Sequence, residues 1–251
     1  MSFAIVLPAR FGSTRFPGKP LATILGKPLI EWVYQGASRV RGASRVLVAT
    51  DDARIATAVR LFGGEVVMTR NAHQTGTDRV AEVAKTLRAD VVVNLQGDEP
   101  IFDPAMVEEM VAVLARDPEV EIATACHPIQ DTESLQSPHV VKVVVDQRRR
   151  AMYFSRAPIP SGALFDGAKA YRHVGVYAYR REALAKFAKL PRTPLEIAER
   201  LEQLRALEHG MTIAVVETRH ATVGVDVPAD IKTVERFVEE SLDSTHGSRT
   251  T

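Results

Sequence analysis

The chain has 251 residues, 45% of them hydrophobic and 25% charged, with 15 Gly and 14 Pro, the composition of an ordinary globular protein. At roughly 100–200 residues per domain, this length makes one large domain or two small ones, able to bury a core without metal or disulfide support. Thirty-two Lys and Arg against 31 Asp and Glu leave a net charge of +1, which excludes the broad positive surface of a nucleic-acid binder, so any anion site must be local.

A lone cysteine, Cys126, excludes an internal disulfide and a Cys-rich zinc site, and it is expected to be a core residue in a reducing compartment. Residues 1–8 carry no basic segment ahead of an apolar run, and no apolar run approaches the roughly 18 residues of a membrane span. A cytoplasmic location without a membrane span is expected.

In chain order, short apolar runs bounded by turn residues alternate with longer amphipathic stretches, the pattern of a parallel sheet covered by helices. Strands are expected at 3–7, 45–50, 65–68 and 91–95, with helices over 29–40, 53–62 and 78–88 between them. A further helix opens at Asp103-Pro104, an N-cap followed by Pro at the first helical position, and carries Val107, Met110, Val111 and Leu114 at helical spacing. The second half changes character. Strand-like runs at 140–145, 151–155 and 172–179 predict a mixed or antiparallel extension of the sheet, with the arginines 148–150 at a solvated hairpin turn. Helices at 194–209 and 228–240 flank a strand at 212–217, and the small polar residues 244–251 are expected to be disordered.

The segment after the first strand, from Arg10 to Pro20, holds Arg10, Arg15 and Lys19 together with Gly12 and Gly18. Close backbone approach at glycines and several cations suit a triphosphate, and an ordinary basic surface turn fits the same residues. It is not a Walker loop: five residues separate the glycines, and Pro20 stands where that motif needs Ser or Thr for magnesium. No Gly-x-Gly-x-x-Gly supports dinucleotide binding. At the end of the fourth strand stands Gln96-Gly97-Asp98-Glu99-Pro100, where a parallel sheet places its ligands. Gly224-Val225-Asp226-Val227-Pro228 puts another aspartate just ahead of a helix, where it is either a turn or capping residue or, with Asp98, a ligand of magnesium shared with substrate phosphates. Asp51-Asp52 suggests a metal-binding acidic pair or a cap for the next helix. Glu199, Glu202 and Gln203 fall on one face of the expected 194–209 helix, with Ile197, Leu201 and Leu204 roughly opposite, which amphipathicity alone explains. There is no His-Glu-x-x-His and no Gly-x-Ser-x-Gly.

Together these residues resemble the 3-deoxy-manno-octulosonate cytidylyltransferases, or CMP-Kdo synthetases. The resemblance runs over essentially the whole chain. It includes Pro8-Ala9-Arg10, Ser13-Thr14-Arg15 and Pro17-Gly18-Lys19-Pro20-Leu21, then His73-Gln74-Thr75-Gly76-Thr77-Asp78-Arg79 and Asn94 to Pro100. It continues through Tyr153-Phe154-Ser155-Arg156-Ala157, Arg172-His173-x-Gly175-x-Tyr177, Leu201-Glu202-Gln203-Leu204-Arg205 and Gly224-Val225-Asp226.

The resemblance implies an α/β fold, a doubly wound and mostly parallel sheet of the nucleotidyltransferase type with a mixed or antiparallel extension in the second half. It implies a magnesium-dependent reaction of CTP with Kdo that yields CMP-Kdo and pyrophosphate for lipopolysaccharide, carried out by a homodimer. One domain over 1–243 would divide into a CTP-binding part at about 1–125, a sugar-binding and dimerisation part at about 126–220, and a metal-ligand segment with its helix at 221–243. Carried over by motif, Pro8, Ala9, Arg10, Arg15 and Lys19 would hold the triphosphate, and Thr75, Gly76, Arg79 and Gln96 would approach cytosine and ribose. Asp98 and Asp226 would hold Mg2+, making them catalytic with Arg10 and Lys19. Arg156, His173, Tyr177, Glu202 and Gln203 would line the sugar pocket, Arg156 meeting the sugar carboxylate and His173 donating a further hydrogen bond. The same chemistry on 8-amino-Kdo or a sialic acid is an alternative, as is a non-catalytic nucleotide-binding regulatory protein. Three positions depart from the family pattern: Phe16 for Leu, Asp78 for Glu, and Val227 for Thr, the last a poorer N-cap at a cost of about 1 kcal/mol.

Overall fold

A computed structural model describes residues 1–12, 16–162, 169–218 and 222–246, with 240–246 described by their backbone alone. Strand β1 (Phe3–Ala9) is buried along its whole length and lies in the middle of the main sheet. Its side chains alternate between two cores: Phe3, Ile5 and Leu7 on one face of the sheet, Ala4 and Val6 on the other. Burial on both faces is why it reads as an unbroken apolar run.

A short hairpin, β2 (Thr23–Ile24) and β3 (Lys27–Pro28), leads to α1 (Leu29–Ala37). Then β4 (Ala43–Thr50), α2 (Ala53–Leu61), β5 (Glu65–Met68), α3 (Gly76–Ala84), β6 (Val91–Asn94) and α4 (Pro104–Arg116) alternate. The four strands β6, β1, β4 and β5 are parallel and adjacent in that order. Asp103 caps α4, accepting from the Ala105 N–H at 2.9 Å, with Pro104 at the first helical position.

The second half widens the sheet. It comprises β7 (Ile122–Pro128), α5 (Thr132–Gln136), β8 (Lys142–Val145), β9 (Ala151–Ser155), β10 (Tyr171–Arg180), α6 (Arg181–Phe187), α7 (Pro194–Glu199), α8 (Gln203–Glu208), β11 (Ile213–Glu217) and α9 (Asp230–His246). Strand β10 runs antiparallel between β6 and β7, β11 joins β7 in parallel, and β8 and β9 extend from β10. The mostly parallel sheet with an antiparallel extension is therefore as expected.

Three expectations are corrected. The helix expected at 194–209 breaks, because Arg200 takes the left-handed conformation, φ 56° and ψ 45°, and ends α7. The reason lies in a buried ion pair: Arg205 donates to both Glu196 oxygens at 2.8 and 2.6 Å, and the two residues are 5% and 4% exposed. On a straight helix nine residues would separate them by about 13 Å, so α8 must fold back on α7 for them to meet. The common face of Glu199, Glu202 and Gln203 is lost with the break, and Ile197 is exposed. At the C-terminus, α9 continues through His246, so residues 244–246 are helical; 247–251 lie outside the described residues. Val227 is no N-cap, since α9 begins at Asp230, whose carboxylate accepts from the Asp226 and Val227 N–H groups at 2.7 and 2.9 Å.

Strand β10 carries a bulge that shapes the site. Val174 to Tyr177 span three steps where the partner strand takes one, Ala125 to Thr124, so Gly175 and Val176 are extra. His173 and Tyr177 thereby come to 5.5 Å between ring centroids, where a regular strand would separate them by about 13 Å.

Candidate active site

A cleft of about 190 Å³ opens beyond the carboxyl ends of β1 and β6, where parallel sheets bind ligands. Pro8, Ala9 and Arg10 enter it from β1, Lys19 and Pro20 from the following loop, His73, Thr75, Gly76 and Arg79 from the start of α3, and Gln96, Gly97 and Asp98 from the turn after β6. These include eight of the nine nucleotide-site residues expected from the sequence; the ninth, Arg15, lies outside the described residues. A Cβ on Gly97 would stand 2.8 Å from the Pro8 carbonyl oxygen, so the two turns approach as closely as they do only because residue 97 is glycine. The cationic loop doubles back on itself, the Gly18 N–H donating to Phe11 O at 2.8 Å with Gly18 at φ 73°.

Lys19 ties the two aspartates together. Its ammonium donates to Asp98 Oδ2 at 2.5 Å and to the Val225 carbonyl at 2.8 Å, and stands 3.9 Å from Asp226 Oδ1. Beside Asp98, the Glu99 carboxyl is pushed up to about 7, first by burial and then by the Asp98 charge, and its Oε2 has no partner among the described residues.

At the head of α3, Thr75 and Asp78 form a reciprocal capping box at 3.1 Å each way, so the aspartate in place of glutamate still completes the cap. Arg79 is 3% exposed, and its guanidinium is held by Asp51 Oδ2 at 2.8 Å and by Thr69. The adjacent aspartates thus have separate tasks. Asp51 fixes Arg79, while Asp52 caps α2 by accepting from the Arg54 N–H at 2.9 Å. His73 bonds Glu82, which also receives Arg70.

The residues expected to line a sugar pocket lie along β10, at the α7–α8 turn and, for Arg156, just after β9. A buried polar chain links Asn94 Nδ2 to Thr77 Oγ1 at 3.3 Å and Thr77 Oγ1 to Glu202 Oε2 at 2.6 Å, joining the start of α3 to Glu202. Burial raises the Glu202 carboxyl above its ordinary range, and the Tyr177 hydroxyl likewise. Rings of Phe154, His173, Tyr177, Tyr179 and Phe187 follow one another at 4.9, 5.5, 5.8 and 6.1 Å. Gln203 is buried in the first turn of α8. Arg156 donates from Nε to Glu199 O at 3.1 Å and from Nη1 to Pro138 O at 3.0 Å, leaving Nη2 without a hydrogen-bond partner among the described residues.

The family model for cytidylyltransferases, under the description "Cytidylyltransferase", matches residues 4–213. The chain belongs to this family. A 3-deoxy-manno-octulosonate cytidylyltransferase of Geobacter sulfurreducens is 51% identical over 249 residues, covering 93% of this chain and 98% of the relative. One of Escherichia coli with the same name is 47% identical, covering 95% of this chain and 96% of its own length. Among solved structures, CMP:2-keto-3-deoxy-manno-octonic acid synthetase complexed with CTP superposes with a TM-score of 0.91 at 46% identity, over 96% of this chain and all of that one. A cytidylyltransferase from Leptospira borgpetersenii, 18% identical with a TM-score of 0.61, shares the fold.

Within this cytidylyltransferase architecture, Asp98 and Asp226, far apart in the sequence, reach one common cation, Lys19. Hard oxygen ligands converging on a point suit magnesium, which is commonly bound through one or two carboxylates and substrate phosphates. Among the described residues no group of three or more His, Cys, Asp or Glu side chains forms a self-sufficient metal cage. Sequence reasoning missed Glu99, the His73–Glu82 pair and Lys142, whose buried ammonium donates to the carbonyls of Ser137, Val140 and Arg156 at 2.9, 2.6 and 2.5 Å. Lys142 left a trace in the sequence as the lone charge inside the valine run of residues 140–145. Cys126 is a core residue as expected, its thiol pushed up to about 11 by burial. In the arginine turn, Arg149 lies over Tyr171, and Arg150 pairs with Asp117 and Glu119.

Proposed function

We propose that the chain transfers CMP from CTP to the anomeric hydroxyl of Kdo, releasing pyrophosphate and giving CMP-Kdo for lipopolysaccharide. The hydroxyl oxygen forms a bond to the α-phosphorus as the bond to the β-phosphate oxygen breaks, in line, and the hydroxyl proton is lost to solvent. Arg10 and Lys19 face the cleft from which the triphosphate would be held, and their positive charge offsets charge building on the phosphoryl oxygens. Thr75, Gly76, Arg79 and Gln96 line the same cleft where base and ribose would lie, with Arg79 fixed by Asp51 so that it costs little to order on binding. Asp98 and Asp226 would hold magnesium, which when bound supplies charge neutralisation and lowers the pKa of a coordinated hydroxyl.

In this reading residues 1–125 carry the nucleotide, 126–220 the sugar and the subunit contact of a homodimer, and 221–243 return the second aspartate to the site. The protein works in the cytoplasm; among the described residues no helix is long and apolar enough to cross a membrane.

The observation that carries the reading is the meeting of Lys19, Asp98 and Asp226 at the cleft. Asp226→Asn keeps the shape and removes the charge. Turnover is expected to fall at least about 100-fold, roughly 3 kcal/mol of transition-state stabilisation, with the thermal midpoint unchanged, because Asp226 is largely exposed. A near-normal rate at saturating magnesium would remove Asp226 from the metal site.

A further inference from the structure

His173 sits at the start of the β10 bulge, and the bulge brings two carbonyls, those of Val174 and Val176, to one hydroxyl, that of Thr124 on β7. Its Oγ1 lies 2.7 Å from the Val176 carbonyl oxygen, 3.1 Å from that of Val174, and 3.0 Å from His173 Nε2. A threonine hydroxyl has one proton. With two carbonyl oxygens this close, that proton must point at a carbonyl, the nearer being Val176, since otherwise oxygen lone pairs would face each other at 2.7 Å. Oγ1 can then only accept from the imidazole, and Nε2 must carry the hydrogen. The ring is enclosed by Phe154, edge-on at 4.9 Å and 77°, and by Tyr177. Burial holds its pKa down to about 3, so a single proton stays on the ring at neutral pH and the other nitrogen bears a lone pair. Nδ1 has no partner among the described residues, and the residue is partly exposed.

We propose that Thr124 is a positioning residue that fixes His173 in the Nε2–H form, so that Nδ1 accepts a hydrogen bond from a hydroxyl of the sugar substrate. This rests on the assignment of β10 to the sugar pocket. It reverses the donor role expected for His173 from the sequence. A lone pair repels a carboxylate, so the acid group of the sugar must be met elsewhere, and Arg156 Nη2 is the donor available for it. The bulge, Thr124 and His173 then form one specificity device: the extra residues Gly175 and Val176 orient the carbonyls, the carbonyls orient the hydroxyl, and the hydroxyl sets the tautomer.

The direct test is side-chain 15N NMR of the full-length protein at neutral pH, with the His173 signals assigned by their loss in His173→Asn. Nitrogen shifts of a protonated Nε2 and an unprotonated Nδ1 are expected in the wild type. An Nδ1–H tautomer or an imidazolium would overturn the proposal without touching the assignment of the pocket. Steady-state kinetics supply the second readout. Thr124→Val is expected to raise KM for Kdo about tenfold with KM for CTP unchanged, and Thr124→Ser, which keeps the hydroxyl, to restore it. Where the valine variant fails to fold, His173→Asn against His173→Gln decides, because asparagine places its carbonyl near the Nδ1 position and glutamine near Nε2. Asn is expected to retain the lower KM for Kdo. Unchanged KM for Kdo in both histidine variants would remove β10 from the sugar pocket, and the acceptor role with it.

Discussion

Lys19 is the residue at which three distant parts of the chain meet: its own loop, the turn after β6 and the segment ahead of α9. At 12% exposure it faces Asp98 through a charge-assisted hydrogen bond, worth on the order of 2 kcal/mol. His173 is the opposite case, a titratable group kept neutral. Its folded pKa of about 3 lies below the ordinary 6.5, so between those values the unfolded chain binds a proton that the native state refuses, and stability falls as pH falls through that window. From pH 7 to pH 5 the effect of this one group is about 2 kcal/mol. The stability advantage of wild type over His173→Asn should therefore shrink by about that amount between denaturant titrations at pH 7 and at pH 5, other groups titrating alike in both proteins. Parallel pH profiles would mean that His173 is solvated enough to protonate in the native state.

The elements most legible in the sequence were those whose pattern has one cause. β1, β5 and β9 were expected within two residues of their bounds, because apolar runs between turn residues have few other uses. β7 was not expected, since Ile-Ala-Thr-Ala-Cys-His-Pro is built of small residues that fit between β10 and β11 without a strong apolar signal. The α7–α8 break was equally hidden, because a buried Glu196–Arg205 pair imposes it from nine residues away. Arg200, exposed and left-handed at φ 56°, bears the strain of that turn. Left-handed backbone costs a side-chain-bearing residue about 1–2 kcal/mol, partly offset by glycine's greater loss of entropy on folding. Arg200→Gly should stabilise the protein by about 0.5–1 kcal/mol in urea unfolding, while a β-branched Arg200→Val should weaken it by at least about 1 kcal/mol. A glycine variant less stable than wild type would contradict a strained turn.

At the scale of the molecule, the fold turns weak local signals into a site. Asp98 follows a strand and Asp226 precedes a helix, which the sequence displays, but their meeting depends on β10 entering antiparallel beside β6 and on the chain returning past Val225 to Lys19. The cationic loop was legible because charge is concentrated there in a nearly neutral chain; the residues proposed for the sugar were named only through resemblance, since the β10 bulge and the polar chain from Asn94 to Glu202 leave no periodic trace. The central claim is one reaction on one pair of substrates, and the most direct measurement is pyrophosphate release by the purified chain with CTP, magnesium and each candidate sugar acid in turn. Stoichiometric release with Kdo, together with CMP-Kdo, and markedly lower kcat/KM with 8-amino-Kdo and with a sialic acid are the predicted results. No release with Kdo, or preference for another sugar acid, would contradict the account.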